Sequence, residues 1–411
     1  MSQPLTAMVS YQWADSDAAE LIHEELSLRG LTVFHDRCSF PAGSRIGQTM
    51  EDAVAICDGF VAYLTPNSLY ELAPAGVARP ALDAEFKPAM DRAERSRADG
   101  GALRRPVVIP LAHGLGDPRT EAPARVWAAS GKDISSLWTP VTIDQSNPAI
   151  TQAEAAAVAD ELIGALLCRG EGSQAGPIEM AVTSRGTGQP AAFLSVDATS
   201  LVGGTENRPG AMVDWERYLA GLQSLQRALA AWTTGRELSL RVRTHLTGAI
   251  ALGRIFHQAG GWHPTVRGRH GDVAPTDSGV HPDLRVAFDK GFSGGALSID
   301  LDLLGVKMGD LSSKALSTIA MPVTSRLAIW RDPSQGDLGP EDIAKMAQCT
   351  ADAFRDAVYS VRPAQVHVFC AAPVEFGVLL GHRLTSMHTD IHLYERDAAR
   401  YVPSLVIPAA A

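Results

Sequence analysis

With 411 residues, 45% of them hydrophobic, the chain is long enough to bury more than one core, and two or three domains are expected. Its 46 acidic residues outnumber its 36 lysines and arginines, and the formal net charge of −10 excludes the basic surface that long nucleic acid requires. The five cysteines (Cys38, Cys57, Cys168, Cys349, Cys370) show no C-x-x-C spacing, as expected of reduced thiols in a cytosol rather than a disulfide framework or zinc site. The start, MSQPLTAMVSYQW, lacks a basic-then-apolar signal segment, and no apolar run approaches the roughly 20 residues that span a bilayer. The expectation is a soluble cytoplasmic protein with no membrane partner.

In chain order, Leu5 to Tyr11 reads as a first strand. Asp15 or Ser16 caps a helix with Ala18, Leu21, Ile22 and Leu26 at helical spacing, ended by Gly30. Leu31 to Phe34 is a second strand, and a loop from His35 to Gly43 leads to a helix from about Ser44 to Cys57. Phe60-Val61-Ala62-Tyr63-Leu64 is a buried strand that stops at the turn cluster Thr65-Pro66-Asn67-Ser68. After a loop holding Pro74, Gly76 and Pro80, Ala81 to Arg97 reads as a helix, with Glu85 in its first turns and close to the carboxyl end of the preceding strand. Val107 to Leu111 is a fourth strand, and Pro148 to Leu167, opened by a capping-box-like Thr151-Gln152-Ala153-Glu154, is the last helix of the unit. Strands alternating with helices predict a parallel sheet covered on both faces, where ligands settle at the strands' carboxyl ends.

Gly170 to Pro190 is rich in Gly, Ser, Pro and Thr and is expected to be a linker. Beyond it lies an internal duplication: Leu238 to Gly253 aligns without gaps on Val366 to Gly381, each an apolar strand, a polar turn and a glycine-bearing helix. Upstream, Phe193-Leu-Ser-Val-Asp197 has an expected partner in Ala296-Leu-Ser-Ile-Asp300. Helices from Met212 to Trp232 and from Pro340 to Val358 fill the space between. Two such α/β halves side by side would set two strand-end, helix-start regions around one cleft. The histidines His263, His270 and His281 near Asp272 and Asp277, and His382, His388 and His392, lack a regular ligand spacing, so no metal is expected.

The first domain resembles a TIR domain. The residues that carry the resemblance are Met8 to Tyr11, Val33 to Arg37 with Pro41-Ala42-Gly43, Ile46-Gly47 through Ile56-Cys57-Asp58, Val61 to Ser68, and Glu85. The resemblance implies a flavodoxin-like parallel sheet over residues 1–170 and an NAD+ nucleosidase whose single catalytic glutamate is Glu85. Nicotinamide leaves NAD as a neutral molecule from a cationic ring, so one fixed carboxylate beside the oxocarbenium-like ribose would suffice. The alternative is a solvated helix residue between Asp83 and Lys87. Many such domains carry Trp-Cys just before the glutamate; Ala81 and Leu82 stand here instead, so Tyr11, Trp13 or Phe40 is the candidate to pack on nicotinamide, unless Tyr11 and Trp13 serve as core or rim. Asp36, Arg37 and Arg45 are candidates for the ribose and diphosphate.

Residues 191–411 resemble a SAVED domain, a sensor of two fused CARF-like, Rossmann-type halves (191–290 and 291–411), after a linker at 171–190. This rests on the duplicated units and on Val368 to Pro373 with Asp390 to Glu395. It implies a cyclic tri- or tetranucleotide activator, cyclic triadenylate by preference, and no resident cofactor, NAD+ being the substrate. Candidate ligand residues are Arg241, Arg243, Thr244, His245 and Thr247 in the first copy. In the second they are Ala371, Pro373, Glu375, Phe376 and Tyr394, the last two as base-stacking partners, with core packing or ion pairs as the alternative for each. The two resemblances together imply a CBASS-type antiviral effector in which ligand binding drives self-association, as a head-to-tail filament, and NAD+ depletion. A non-enzymatic TIR scaffold and an NAD cyclase or base-exchange enzyme are the alternatives.

Overall fold

Short apolar runs punctuated by turn residues build the first unit as a parallel sheet. The computed structural model describes residues 3–34, 46–69, 80–98, 106–135, 137, 141, 143–169, 176–186, 192–202, 214–276, 281–306, 308–332, 336–385, 387–397 and 400–409. The candidates Asp36, Arg37, Phe40 and Arg45 lie outside these residues. The chain divides into two units: Met1–Ser173 with Ala192–Val196 and Arg227–Trp232, and the remainder of Gln174–Ala411.

In the first unit β1 (Thr6–Ser10), α1 (Ser16–Leu28), β2 (Thr32–Phe34), α2 (Ile46–Ile56), β3 (Gly59–Leu64), α3 (Lys87–Ala98), β4 (Val107–Ala112), α4 (Glu121–Ser130) and α5 (Gln152–Arg169) follow one another. The sheet order is β2-β1-β3-β4, all parallel. Every residue of β3 is buried, as a central strand covered on both faces requires. Gly30 leaves α1 with φ of 84°, a left-handed conformation that costs glycine nothing. The buried Arg29 guanidinium binds Glu25 of its own helix and Asp160 of α5 (2.5 Å), tying the two helices together. Helix α4 is not foreshadowed by the sequence, because Pro123 in its first turn and only Ala122 and Val126 as buried apolar positions disguise its period.

The chain beyond α5 contains β5 (Ile178–Thr183), β6 (Leu194–Asp197), α6 (Thr199–Val202), α7 (Trp215–Trp232), β7 (Glu237–Arg243), α8 (Leu246–Ile255), β8 (His263–Gly268) and β9 (Gly271–Val273), of which most of β6 and the end of α7 are counted with the first unit. It continues with β10 (Leu284–Asp289), β11 (Ala296–Asp302), α9 (Gly309–Leu316), β12 (Val323–Arg331), α10 (Pro340–Val361), β13 (Gln365–Ala371), α11 (Val374–Arg383), β14 (Asp390–Asp397) and β15 (Arg400–Ile407). One five-stranded sheet runs β6-β5-β7-β8-β9 and one six-stranded sheet runs β10-β12-β11-β13-β14-β15. In the first, β5, β7 and β8 are parallel and β9 is antiparallel to β8; in the second, β12, β11, β13 and β14 are parallel, with β10 and β15 antiparallel at the two edges. Among the described residues no helix is long and apolar enough to cross a membrane.

Two expectations are corrected. The stretch read as a linker, 171–190, contains β5, whose Gly- and Pro-rich flanks hid a half-dozen strand-forming residues that pair with β7. And the partner of β11 is β5, since each lies beside the duplicated strand, β13 or β7; the likeness of Phe193–Asp197 to Ala296–Asp300 reflects strand composition, not position.

The duplication itself is exact in register. β7 and α8 superimpose by sequence on β13 and α11 from first residue to last. The two helices pack backbone against backbone at their matched glycines. A Cβ on Gly253 would stand 1.9 Å from the Val378 carbonyl oxygen, and one on Gly381 would stand 2.0 Å from that of Ile250. Ile250 and Val378 are themselves matched positions, so this contact is a local two-fold. Gly253→Ala and Gly381→Ala should each cost about 3 kcal/mol in chemical denaturation, because the clash is with main chain that no rotamer change relieves. Gly164→Ala in α5, where a Cβ meets nothing within 4 Å, should instead stabilise by about 0.5–1 kcal/mol.

Candidate functional sites

The carboxyl edge of the first sheet collects the ends of three strands. β3 is followed by a turn in which Thr65 N–H donates to Ser68 Oγ (2.8 Å) and Ser68 N–H to Thr65 Oγ1 (3.2 Å). The Thr65 hydroxyl donates to Asp15 Oδ2 (2.6 Å) and the Asn67 amide to Asp15 Oδ1 (3.0 Å), so the residue before α1 fixes the exit of β3. At the end of β4, His113 Nε2 lies 3.0 Å from the Asn147 carbonyl oxygen and therefore carries the proton. Its Nδ1 then accepts from the Tyr63 hydroxyl at 2.7 Å. Burial, then the Asp15 carboxylate, pushes the Tyr63 phenol up to about 12, so it stays a donor at neutral pH. None of this network was foreseen; Asn67-Ser68 marked a turn but nothing in the spacing paired it with Asp15.

From β3 the chain returns through Pro80–Phe86, which is a wide π-helical turn and not the α-helical start expected there, before narrowing into α3. Such turns are frequent at functional sites because they re-aim one side chain. Here Asp83 and Lys87 form an exposed i,i+4 pair at 2.7 Å, while Glu85 between them is only 3% exposed. Burying a carboxylate costs several kcal/mol unless it is hydrogen-bonded, so this placement is not that of a solvated surface residue. Of the aromatic candidates, Tyr11 is buried (7% exposed) at the end of β1, whereas Trp13 is 66% exposed in a short 3-10 turn capped by the Gln12 side chain.

In the second unit a cavity of about 360 Å³ opens at strand ends and helix starts, within the range of small-molecule sites. Pro340 and Pro373, at the N-termini of α10 and α11, line it, together with Glu375, the β8–β9 turn at Gly268 and Arg269, and Arg331. Arg331, at the end of β12, is 7% exposed; its Nη2 donates to the Gly336 carbonyl at 2.8 Å, but its Nε finds no hydrogen-bond partner. A buried guanidinium N–H without an acceptor, beside two helix N-termini, suits an anionic group.

The sequence candidates distribute unevenly around this cavity. Pro373 and Glu375 line it, and Ala371 ends the adjoining strand, where its carbonyl accepts from Leu303 N–H (2.9 Å). Phe376 and Tyr394, expected to stack on bases, are interior residues. Phe376 is fully buried, and Tyr394 stacks on Phe369 at 4.4 Å and bonds His367 Nδ1 at 3.0 Å, because both sit on the packed face of their element. The first-copy set does not border the cavity. Thr244 is fully buried and bonds Ser184, and the Arg243 guanidinium lies against Gly186. Arg241 is half-buried on β7, and Thr247 N–H donates to Glu395 Oε1 at 2.6 Å. Gly268, Arg269 and Arg331 were missed; the Gly268-Arg-His-Gly271 hairpin signal was the available clue to the first two.

Residues 8–131 match the model of the TIR domain, and residues 333–407 match that of the SMODS-associated and fused to various effectors sensor (SAVED) domain. Among solved structures, the chain is similar to the Cap4 SAVED/CARF-domain containing receptor of Acinetobacter baumannii with the cyclic trinucleotide 3'3'3'-cAAA. That likeness has 14% identity over 97% of this chain and 99% of that one, with a TM-score of 0.46. The Moraxella osloensis Cap4 receptor is similar at 13% identity over 95% and 98% of the chains, with a TM-score of 0.43. No curated protein matches.

Burial drives three histidines, His245, His367 and His382, down from 6.5 to about 4. Between those values the unfolded chain takes up protons that the folded chain refuses, so their stabilisation is complete above pH 6.5 and is lost as pH falls toward 4. Denaturant midpoints measured across that window should fall with acidification, with a slope that His382→Gln makes shallower.

Proposed function

From a chain that joins a TIR domain to a SAVED sensor domain, we propose an effector that cleaves NAD+ when a cyclic oligonucleotide, cyclic triadenylate by preference, fills its sensor. The burial of Glu85 in a π-helical turn, between two residues that pair with each other at the surface, is the observation that carries this reading. NAD+ lies at the carboxyl edge of the TIR sheet. Its nicotinamide departs as a neutral molecule, so no general acid is needed, and the Glu85 carboxylate stabilises the positive charge that develops on the ribose. Tyr11 supports the reacting end from the neighbouring strand.

The ring's phosphodiesters bind in the Arg331 cavity, where the guanidinium N–H and the starts of α10 and α11 meet negative charge without a strongly basic surface. Glu375 reads a ribose hydroxyl or a base amino group. Filling the sensor acts through association of copies, head to tail, and a heterologous contact of that kind builds an open filament unless its rotation closes. NAD+ loss then halts the infected cell.

A fluorescent NAD analogue incubated with a panel of cyclic di-, tri- and tetranucleotides should be cleaved with one ring only. Silence with every ring would leave a recruiting scaffold as the better account. Glu85→Gln should lower cleavage by at least about 100-fold, as loss of a transition-state charge does, while ring binding by calorimetry is retained. Arg331→Met should weaken ring binding about 10- to 100-fold, the value of one charged hydrogen bond. Unchanged affinity would remove Arg331 from the site.

A further inference from the structure

The duplication makes a comparison possible between the open cavity and its counterpart in the first copy. Glu375, the second residue of α11, corresponds to Thr247, the second residue of α8. Pro373 corresponds to His245. In the strand registers Ser239 pairs with Thr265 as His367 pairs with His392, and continuing both along their strands brings Gly268 into correspondence with Glu395. Each helix start therefore meets the hairpin strand of the other copy: α11 meets Gly268 and α8 meets Glu395.

The outcome differs at one side chain. At Gly268 there is none, and a Cβ there would stand 2.9 Å from Glu375 Oε1; this is the cavity wall. At Glu395 the side chain fills the space and accepts the Thr247 N–H at 2.6 Å, with the Ser404 hydroxyl on Thr247 Oγ1 at 3.0 Å. Glu395 is 8% exposed, and the Arg185 charge acts on both it and His245. His245 itself, 4% exposed, has an Nε2 without a hydrogen-bond partner. A helix N-terminus, an arginine, an unpartnered imidazole nitrogen and a buried carboxylate are the components of a bound-anion site whose anion belongs to the chain.

We propose that the sensor holds two homologous oxyanion pockets, and that Glu395 fills the first as a built-in substitute for a phosphate, leaving the pocket at Gly268 and Glu375 as the one open to an external ligand. The inference rests on the reading of the open cavity as an anion site, and not on which ring binds there. Burial raises the Glu395 carboxyl above its ordinary value, and the Thr247 bonds and the Arg185 charge pull against that rise.

Glu395→Gly copies the Gly268 condition into the first pocket. In the full-length variant, about 20 mM inorganic phosphate, against chloride of equal ionic strength, should raise the melting temperature by about 3 °C more than in the unmutated protein. An equal rise in both would overturn the proposal. Should Glu395→Gly not fold, the reverse transplant decides: Gly268→Glu with Glu375→Thr recreates the filled pair in the open pocket and should abolish ring binding, and unchanged binding would overturn the proposal. If no ring binds the unmutated protein but phosphate still stabilises Glu395→Gly selectively, the ligand assignment falls and the filled-pocket inference stands.

Discussion

The close approach of α8 and α11 at Gly253 and Gly381 is the constraint from which the sensor's geometry follows. Main chain against main chain leaves no side chain to adjust, so the two copies are locked at one distance and one rotation. Both helices are buried over most of their length, and what they can still offer is their N-termini. The local two-fold directs each N-terminus to the hairpin of the opposite copy. A site built this way belongs to neither half, and each half completes the other's.

Two-fold symmetry in the backbone does not oblige symmetry in the chemistry. A glycine at 268 and a glutamate at 395 turn equivalent positions into an open cavity and a filled one. The carboxylate changes place as well, standing on the hairpin strand in the filled pocket (Glu395 against Thr247) and on the helix in the open one (Glu375 against Gly268).

The TIR sheet solves a different problem, that of holding one carboxylate out of water near a strand edge. Across the π-helical turn and the start of α3, Asp83 and Lys87 pair at the surface while Glu85, midway between them, is buried on the opposite face. Asp15 pins the neighbouring loop through Thr65 and Asn67, so the edge is braced before any ligand arrives.

The amino-acid sequence alone determined the four strands of the first unit and its helices other than α4, the gapless duplication of the second, and the position of Glu85 on the element after β3, because hydrophobic period, turn residues and repeats are local patterns. It also marked Pro373 and Glu375. It hid β5 among glycines and prolines, and it offered Phe376 and Tyr394 as ligand contacts. Which face of a residue meets water depends on neighbours far along the chain. Only the tertiary structure decided that Glu85 is buried while its flanks pair outside, that Arg331 keeps an unanswered N–H beside two helix starts, and that Glu395 stands where the other copy is empty. Those are relations between side chains more than a hundred residues apart in the case of Thr247 and Glu395, and no window of sequence contains them.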